Sequence, residues 1–238
     1  MLIQGDASAL EWRCAGFLSQ DKTAYKEIWN DVDQHTDNQN RFGLPSRLIA
    51  KTFVFRLIYG GSAFSYANDP NFAEVSKSEK FWQKVIDEFY AKYQGLHTWH
   101  IKLVQEAIST KRVTLPTGRI YDFEPTMQYG KKKYPRTTIL NYPVQGLGAD
   151  LMTIARVSLY NRMKGKYSNA KLVNTVHDSI IIDCDKSLVD ELSAMMLQVF
   201  EDVPKNFEKM FGVEFNLPMK AEVQIGSNWK DMEVWKNT

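Results

Sequence analysis

The chain has 238 residues, 44% of them hydrophobic and 24% charged, and its formal net charge of +2 at pH 7 neither requires nor excludes a nucleic-acid partner. Its two cysteines lie far apart without CxxC spacing, which excludes a disulfide framework or a zinc knuckle and is typical of a reducing compartment. Because we find neither a secretory leader nor a run of about 18 apolar residues, we expect a cytoplasmic protein that does not span a membrane.

The chain opens with a predicted strand over residues 1–6, followed by a helix over residues 9–19. Asp6 ends the strand among apolar residues, where an unpaired carboxylate is costly unless it binds a metal or another cation. Taken singly, such an acid is usually a turn residue. The stretch over residues 30–46 is polar, and we predict that it is irregular.

A helix is predicted over residues 46–60, with a serine as its N-cap and two glycines at its end. Arg47, Lys51, Phe55 and Tyr59 recur in it at steps of four and therefore share one face. From the helix alone, two interpretations of this stripe are open. It is either a surface face with long cationic side chains over the edge of the core, or a face that binds a ligand.

The rest of the chain continues the mixture of helices and strands. We predict helices over residues 79–109 with a break near Gly95, a hairpin that turns at residues 116–118, a basic loop over residues 131–136 and a helix over residues 145–164. A second hairpin over residues 170–185 carries Asp178 at its tip, before an amphipathic helix over residues 188–211 and a strand near residues 219–226. Strands at both ends with helices between them predict an α+β fold.

Asp6 and Asp178 are carboxylates at strand ends that lie far apart in sequence. A pair of this kind suits a two-metal phosphoryl-transfer site, because Mg²⁺ takes oxygen ligands and two ions about 3.5–4 Å apart clamp the attacking and leaving oxygens. Such chemistry also needs cations on a triphosphate. Arg47 and Lys51 are residues of the right type for that task.

Five segments carry recognisable motifs: DASALEWRCAGFLS, RLIAKTFVFRLIYG, NYPVQGLGADLM, VHDS and AEVQIGSNWKDM. In this order they resemble motif A, motif B, the N-x-P-x-Q-G segment, motif C and the closing strand of family A (Pol I-like) DNA polymerases. Each segment alone is a weak signal, but five in the family's order with its internal spacing are specific. The interval of 12 residues from His35 to Arg47 resembles that of phage members.

The resemblance implies a role for each matching residue. Asp6 and Asp178 would hold two Mg²⁺ ions, with the carbonyl of Ala7 as a further ligand, and Lys51 would join them as a catalytic residue by neutralising the leaving pyrophosphate. The residues that bind the nucleotide would be His35, Arg47, Lys51, Phe55, Tyr59 and Glu11. The residues that contact DNA would be Gln145, Asn141, His177 and Arg136.

The resemblance also implies a right-hand polymerase fold of the α+β class. We expect a palm with a small antiparallel sheet from residues 1–21 and 141–238, with motif C at residues 176–179, and mostly helical fingers from residues 22–140. We expect the thumb and the first palm strands to be absent. The chain is then either one half of a split polymerase, whose N-terminal part is a separate partner chain, or a truncated form.

The expected activity is template-directed transfer of dNMP from dNTP to a primer 3′-OH on primer-template DNA. Ser179 stands where the family usually has Glu and where single-subunit RNA polymerases carry Ser, so an RNA polymerase-like nucleotidyltransferase is the alternative. Glu11 and Phe55 favour a DNA polymerase, because the RNA enzymes have a small residue and usually Met at those places. A non-catalytic DNA-binding remnant is the third hypothesis. We expect a phage source, and hence the cytoplasm of a bacterial host.

Overall fold

The computed structural model describes residues 1–236, and the fold is α+β, as the sequence predicts. The strands are β1 (Leu2–Ala7), β2 (Arg112–Thr114), β3 (Ile120–Asp122), β4 (Thr126–Gln128), β5 (Lys131–Lys133), β6 (Ala170–Val176), β7 (Ser179–Cys184), β8 (Ala221–Gly226) and β9 (Glu233–Val234). The helices are α1 (Leu10–Ser19), α2 (Lys22–Trp29), α3 (Gln34–Phe42), α4 (Arg47–Ile58), α5 (Ala63–Ala67), α6 (Pro70–Ala73), α7 (Glu79–Lys92), α8 (Gln94–Thr110), α9 (Arg136–Met163), α10 (Val189–Glu201) and α11 (Val203–Phe211). Among the described residues, none of these helices has the length and apolar character needed to cross a membrane.

The chain divides into two compact units. The first unit comprises residues 1–14 together with the described residues from Gly146 onward, and the second comprises Ala15–Gln145. Both divisions fall inside a helix, one in α1 and one in α9. The predicted boundaries of palm and fingers stay predictions, because the fold by itself does not label a unit by its function.

The first unit is built on a five-stranded antiparallel sheet with the order β6-β7-β1-β8-β9. Strand β1 lies at its centre, and α10 packs on one face, where Ile3 and Ala7 are buried. A Cβ atom on Gly5 would lie 2.4 Å from Cγ of Met196, so only glycine lets the helix approach this closely. Since side chains alternate along a strand, Asp6 points to the opposite face.

The second unit is mostly helical and packs around buried aromatic rings. Phe53 of α4 lies 6.0 Å from Trp82 of α7 and 5.0 Å from Tyr66 of α5, measured between ring centroids, and all three side chains are fully buried. Two small hairpins, β2–β3 and β4–β5, complete the unit. The buried rings therefore fix one face of α4 and leave its other face toward solvent.

The prediction that residues 30–46 are irregular is wrong. Helix α3 lies there, with Asp33 as its N-cap and Gly43 in the left-handed conformation (φ 63°) as its C-cap. Three of the four residues that α3 buries are polar: Gln34, His35 and Asn38. An apolar stripe is what identifies a helix in a sequence, and α3 buries polar groups instead.

Several predicted boundaries also need correction. The helix predicted over residues 145–164 begins at Arg136 and contains Pro143, a residue type that usually ends or kinks a helix and so hides the pattern. The basic loop is instead partly a strand, β5, paired with β4. The helix predicted over residues 188–211 is two helices, because the chain bends at Asp202 and Pro follows in the first turn of α11. The first strand, α1, both predicted hairpins and the closing strand are confirmed.

Candidate functional site

The two predicted metal acids of the first unit lie on β1 and in the turn between β6 and β7, the hairpin that pairs with β1. Asp6 is directly opposite Ser179 in the pairing of β1 with β7. One residue on, the backbone N–H of Ala7 donates to the carbonyl of Asp178 at 2.9 Å. Backbone pairing therefore brings two residues 172 positions apart to the same end of the sheet.

The turn that carries Asp178 is closed by its neighbours. His177 adopts the left-handed conformation (φ 52°), and the hydroxyl of Ser179 donates to the carbonyl of Val176 at 2.9 Å. Ser179 is buried, whereas Asp178 is half-buried and His177 is exposed. The serine thus stabilises this hairpin through its hydroxyl. An ionised carboxylate at the same position could not donate that hydrogen bond.

The donor atoms at this end of the sheet are of the chemical type that a magnesium site uses. Two carboxylates and the backbone carbonyl of Ala7 are hard oxygen donors of the kind Mg²⁺ prefers. Among the described residues, no three His, Cys, Asp or Glu side chains gather into a cluster that would hold a metal. Glu222 is an acid that the sequence reading missed: it lies opposite Asp6 on β8, and its carboxylate accepts from the amide of Gln224 at 2.8 Å.

The segment that follows Asp6 is anchored by Arg13. This arginine is 5% exposed, and its guanidinium donates through Nε to the carbonyl of Ser8 at 2.8 Å and through Nη1 to the carbonyl of Pro218. It therefore fixes the turn after β1 against the segment before β8. Glu11 lies in the first turn of the same helix and is half-buried. Burial of the Cys14 thiol raises the pKa of that thiol, and the negative charge of Glu11 raises it further.

In the second unit, the stripe on α4 occupies the outward face of the helix. Arg47 and Lys51 are exposed, and Phe55 and Tyr59 are half-buried. The opposite face is buried and consists of Ala50, Phe53, Val54, Leu57 and Ile58. The spacing of four therefore does place the two cations and two rings on one side, as predicted.

His35 of α3 lies beside this stripe. Its ring is 5.6 Å from that of Phe55, and Nζ of Lys51 lies 5.7 Å from the centre of the Phe55 ring. Burial, with Arg47 and Lys51 adding to it, lowers the pKa of His35 to about 4, so that the imidazole is neutral at pH 7. Its Nδ1 atom is buried and has no hydrogen-bond partner among the described residues.

Asp33 is the second residue that the sequence reading missed. Its carboxylate accepts from Nε of Arg47 at 2.7 Å and from Nη2 at 3.1 Å. This bond to Arg47 is the largest cause that holds the pKa of Asp33 well below its usual range, and it raises the pKa of the arginine in turn. The signal available in the sequence was the residue type, since Asp is a preferred N-cap residue at the start of a helix.

Tyr59 lies next to the beginning of α9. The side-chain amide of Gln145 donates to the Tyr59 hydroxyl at 2.6 Å. A cavity of about 240 Å³ opens beside this pair and is lined by Tyr59, Thr137, Thr138, Asn141 and Tyr142. Three predicted site residues therefore meet here, while Arg136, exposed at the start of α9, does not line the cavity.

The predicted site residues thus form two groups, one in each unit. The first unit holds Asp6, Ala7, Glu11, His177 and Asp178. The second unit holds His35, Arg47, Lys51, Phe55, Tyr59, Arg136, Asn141 and Gln145. One group offers carboxylate oxygens, and the other offers cations, neutral donors and aromatic rings.

The chain is similar in sequence to DNA polymerases of one family. A sequence model of DNA polymerase family A matches residues 1–231. DNA polymerase I of Lactococcus lactis subsp. cremoris is 26% identical over 251 residues, which covers 96% of this chain and 26% of that protein. DNA polymerase I of Pseudomonas aeruginosa is 27% identical over 240 residues, which covers 97% of this chain and 25% of that protein. The chain spans about a quarter of the length of these curated relatives.

The solved structures include a similar fold. The polymerase domain of Pol1 from M. smegmatis, in a complex with DNA primer-template and dNTP, matches with a TM-score of 0.80 at 18% sequence identity. The match covers 96% of this chain and 40% of that one. The α+β fold with its small antiparallel sheet is therefore that of a fragment of a polymerase domain.

Proposed function

The chain belongs to DNA polymerase family A, and from that premise we propose that it adds dNMP units from dNTP to the 3′-OH of a primer, as a DNA template directs. The observation that carries this proposal is the backbone bond from Ala7 to the carbonyl of Asp178, which holds two acids of the family's motifs at one end of a sheet. We assign the palm to residues 1–21 and 141–238 and the fingers to residues 22–140.

In the proposed reaction, the primer 3′-hydroxyl gives its proton to water and its oxygen forms a bond to the α-phosphorus of the dNTP. The bond from that phosphorus to the bridging oxygen breaks, and pyrophosphate leaves. Asp6, Asp178 and the Ala7 carbonyl would hold Mg²⁺. When bound, paired Mg²⁺ ions stabilise the attacking and leaving oxygens. The contribution of the chain is to hold both acidic residues at one end of the sheet by backbone pairing before the substrate arrives.

We propose that the outward face of α4 binds the nucleotide. Arg47 and Lys51 would contact the triphosphate, and Lys51 would neutralise charge on the pyrophosphate as it leaves. His35 would bind as a neutral hydrogen-bond donor rather than as a cation, because its pKa of about 4 keeps the ring uncharged at pH 7. Phe55 would pack against the sugar, and Tyr59 would lie at the base of the pocket.

We propose that the beginning of α9 and the motif C turn contact the primer-template. Asn141 and Gln145 carry amides that donate and accept, and His177 is exposed beside Asp178. Arg136 is an exposed cation suited to a phosphate. The amide of Gln145 already donates to Tyr59, so these two residues would act together where the template meets the nucleotide.

A second candidate is RNA synthesis, which Ser179 favours. Glu11 argues against it, because in the proposed site its side chain would fill the space next to C2′ of the sugar. The two relatives described above are DNA polymerases, which also favours deoxynucleotides. We therefore propose dNTP as the substrate.

We also propose that full activity requires further polymerase segments, supplied by a separate N-terminal chain. The support is that this chain covers only 25% and 26% of the two relatives and 40% of the matched structure. A DNA partner and a cytoplasmic location belong to the same proposal. A phage source stays a prediction.

The test is primer extension with Mg²⁺ and either dNTP or NTP, by the chain alone and with an N-terminal polymerase polypeptide added. We expect weak extension by the chain alone and strong extension with the added polypeptide. We also expect a preference for dNTP over NTP above about 10²-fold, because a filled pocket excludes a hydroxyl more strongly than an apolar pocket rejects one methylene.

Efficient use of NTP would assign the chain to RNA synthesis. No extension with either nucleotide would contradict the proposed function, and extension over many nucleotides by the chain alone would contradict the need for a partner.

A further inference from the structure

One carboxylate in the second unit makes two kinds of contact at once. Asp33 accepts hydrogen bonds from the backbone N–H groups of His35 and Thr36, at 3.1 and 3.3 Å, and so begins helix α3. The same carboxylate accepts from Nε and Nη2 of Arg47 at 2.7 and 3.1 Å. His35 and Arg47, which we assign to the triphosphate, are therefore connected through Asp33, to which the proposed function gives no role.

The contact to Arg47 has a defined geometry. A guanidinium that donates through Nε and Nη2 to both oxygens of one carboxylate is fixed in its plane as well as in its position. The pair uses two of the five guanidinium N–H groups, and the arginine side chain is 54% exposed. Arg47 is thus held in one orientation on an open face, with donors left for a ligand.

We propose that Asp33 is a positioning residue for the nucleotide triphosphate, an inference that rests on the proposed function. It holds the guanidinium of Arg47 and the helix that carries His35 in a single arrangement before the nucleotide binds. Without it, binding would have to order a long arginine side chain, and that lost rotamer freedom would weaken the affinity.

The negative charge of Asp33 has an opposing effect, since it repels a triphosphate and neutralises Arg47. Arg47 and Asp33 are both open to solvent, with side-chain exposures of 54% and 45%, so water and salt screen that repulsion. The same exposure screens the ion pair, but its two parallel hydrogen bonds still fix the plane of the guanidinium. We therefore expect the positioning effect to be the larger of the two.

Three variants separate the contacts. Asp33→Asn keeps a good N-cap for α3 but removes the anion that holds Arg47. Asp33→Ala removes both the cap and the anion. Asp37→Asn is the matched control, because Asp37 lies on the same helix and forms an ion pair at 2.6 Å with Lys92, away from Arg47.

The experiment measures KM for dNTP and kcat in primer extension with the N-terminal polypeptide present. We expect Asp33→Asn to raise KM about three- to tenfold with kcat within about twofold, as for a lost contact that acts on binding. Asp33→Ala should raise KM further, Asp37→Asn should leave it unchanged, and Asp33→Asn should have no added effect in an Arg47→Ala background. An unchanged or lower KM in Asp33→Asn, or an equal rise in the control or in the Arg47→Ala background, would overturn the proposal.

A second measurement does not depend on activity. In ¹H–¹⁵N spectra of the chain without nucleotide, the Nε–H of Arg47, assigned by its loss in Arg47→Ala, should be protected from exchange in the parent and in Asp37→Asn. It should lose that protection in Asp33→Asn. A parent spectrum without a protected signal would overturn the role of Asp33 itself, whereas a protected signal in a chain that uses no nucleotide would count against the proposed function alone.

Discussion

The two units place their site residues by different means. In the first unit, Asp6 and Asp178 are positioned by backbone pairing between β1 and the β6–β7 hairpin, with Ala7 bonded to the carbonyl of Asp178. In the second unit, Arg47 is positioned by a side-chain pair with Asp33, and Tyr59 by a side-chain bond to Gln145. Backbone pairing fixes where the two residues lie in the sheet, while pairs between exposed side chains can rearrange when a ligand arrives.

This difference has a chemical counterpart. Acids that hold metal ions must keep a fixed geometry, because electrostatic stabilisation of a transition state depends on groups that do not reorganise. Residues that bind and release a substrate need to exchange partners. We therefore expect substitutions of Asp6 and Asp178 to act on kcat and substitutions of Asp33 and Arg47 to act on KM. Variants of residues in both units test that division.

The largest effect is expected for the two acids. Asp6→Asn or Asp178→Asn should lower kcat by at least about 10²–10³-fold, the loss typical of one preorganised electrostatic contact, with DNA binding little changed. Single-nucleotide extension and a DNA-binding titration give the two quantities. Asp183→Asn, on the same hairpin and 61% exposed, is the control and should stay close to the parent. Activity within tenfold of the parent for either acid variant would contradict the metal assignment.

A smaller effect is expected from Glu11, which we assign to the sugar. Glu11→Ala should open space next to C2′ and reduce the preference for dNTP over NTP at least tenfold, mostly by improving the use of NTP. The ratio of kcat/KM for the two nucleotides measures this. If the preference does not change, Glu11 does not contact the sugar and its half-buried position in α1 has a structural purpose.

Ser179→Glu tests whether the family's third acid fits this hairpin. The change removes the bond from the Ser179 hydroxyl to Val176 and places a carboxylate opposite Asp6, so we expect a loss of about 1–2 kcal/mol of folding free energy. The extension rate at saturating Mg²⁺ should nevertheless stay within tenfold of the parent, or rise. Denaturant unfolding and single-nucleotide extension measure the two effects. A folded but inactive variant would show that the tip has a different shape from the family's.

The smallest effect is expected on folding stability at acidic pH. Burial is the first cause that lowers the pKa of His100 to about 3 and of His35 to about 4, whereas an unfolded histidine has a pKa of about 6.5. Between these values the unfolded chain binds more protons than the folded one, so stability should be full above about pH 6.5 and should fall as the pH drops toward 4. Unfolding midpoints across this range measure the slope. His100→Gln should reduce the slope.

The local features of the site were predictable from the sequence, because they depend on spacing within one element. Steps of four put Arg47, Lys51, Phe55 and Tyr59 on the outward face of α4, and the hairpin pattern placed Asp178 at a turn. Helix α3 was not predictable in this way, since the side chains that it buries are mostly polar. Pro143 likewise concealed the first turns of α9.

What the sequence determined by itself is the set of motifs, their order and the class of fold, because each motif is read within a short window of residues. The resemblance already paired Asp6 with Asp178, but only the tertiary structure decided the contacts that bring distant groups together. The bond from Ala7 to Asp178 depends on how β1 enters the sheet, and the pair of Asp33 with Arg47 depends on how α3 packs beside α4. Such contacts are set by packing between elements, and no spacing along the chain encodes them.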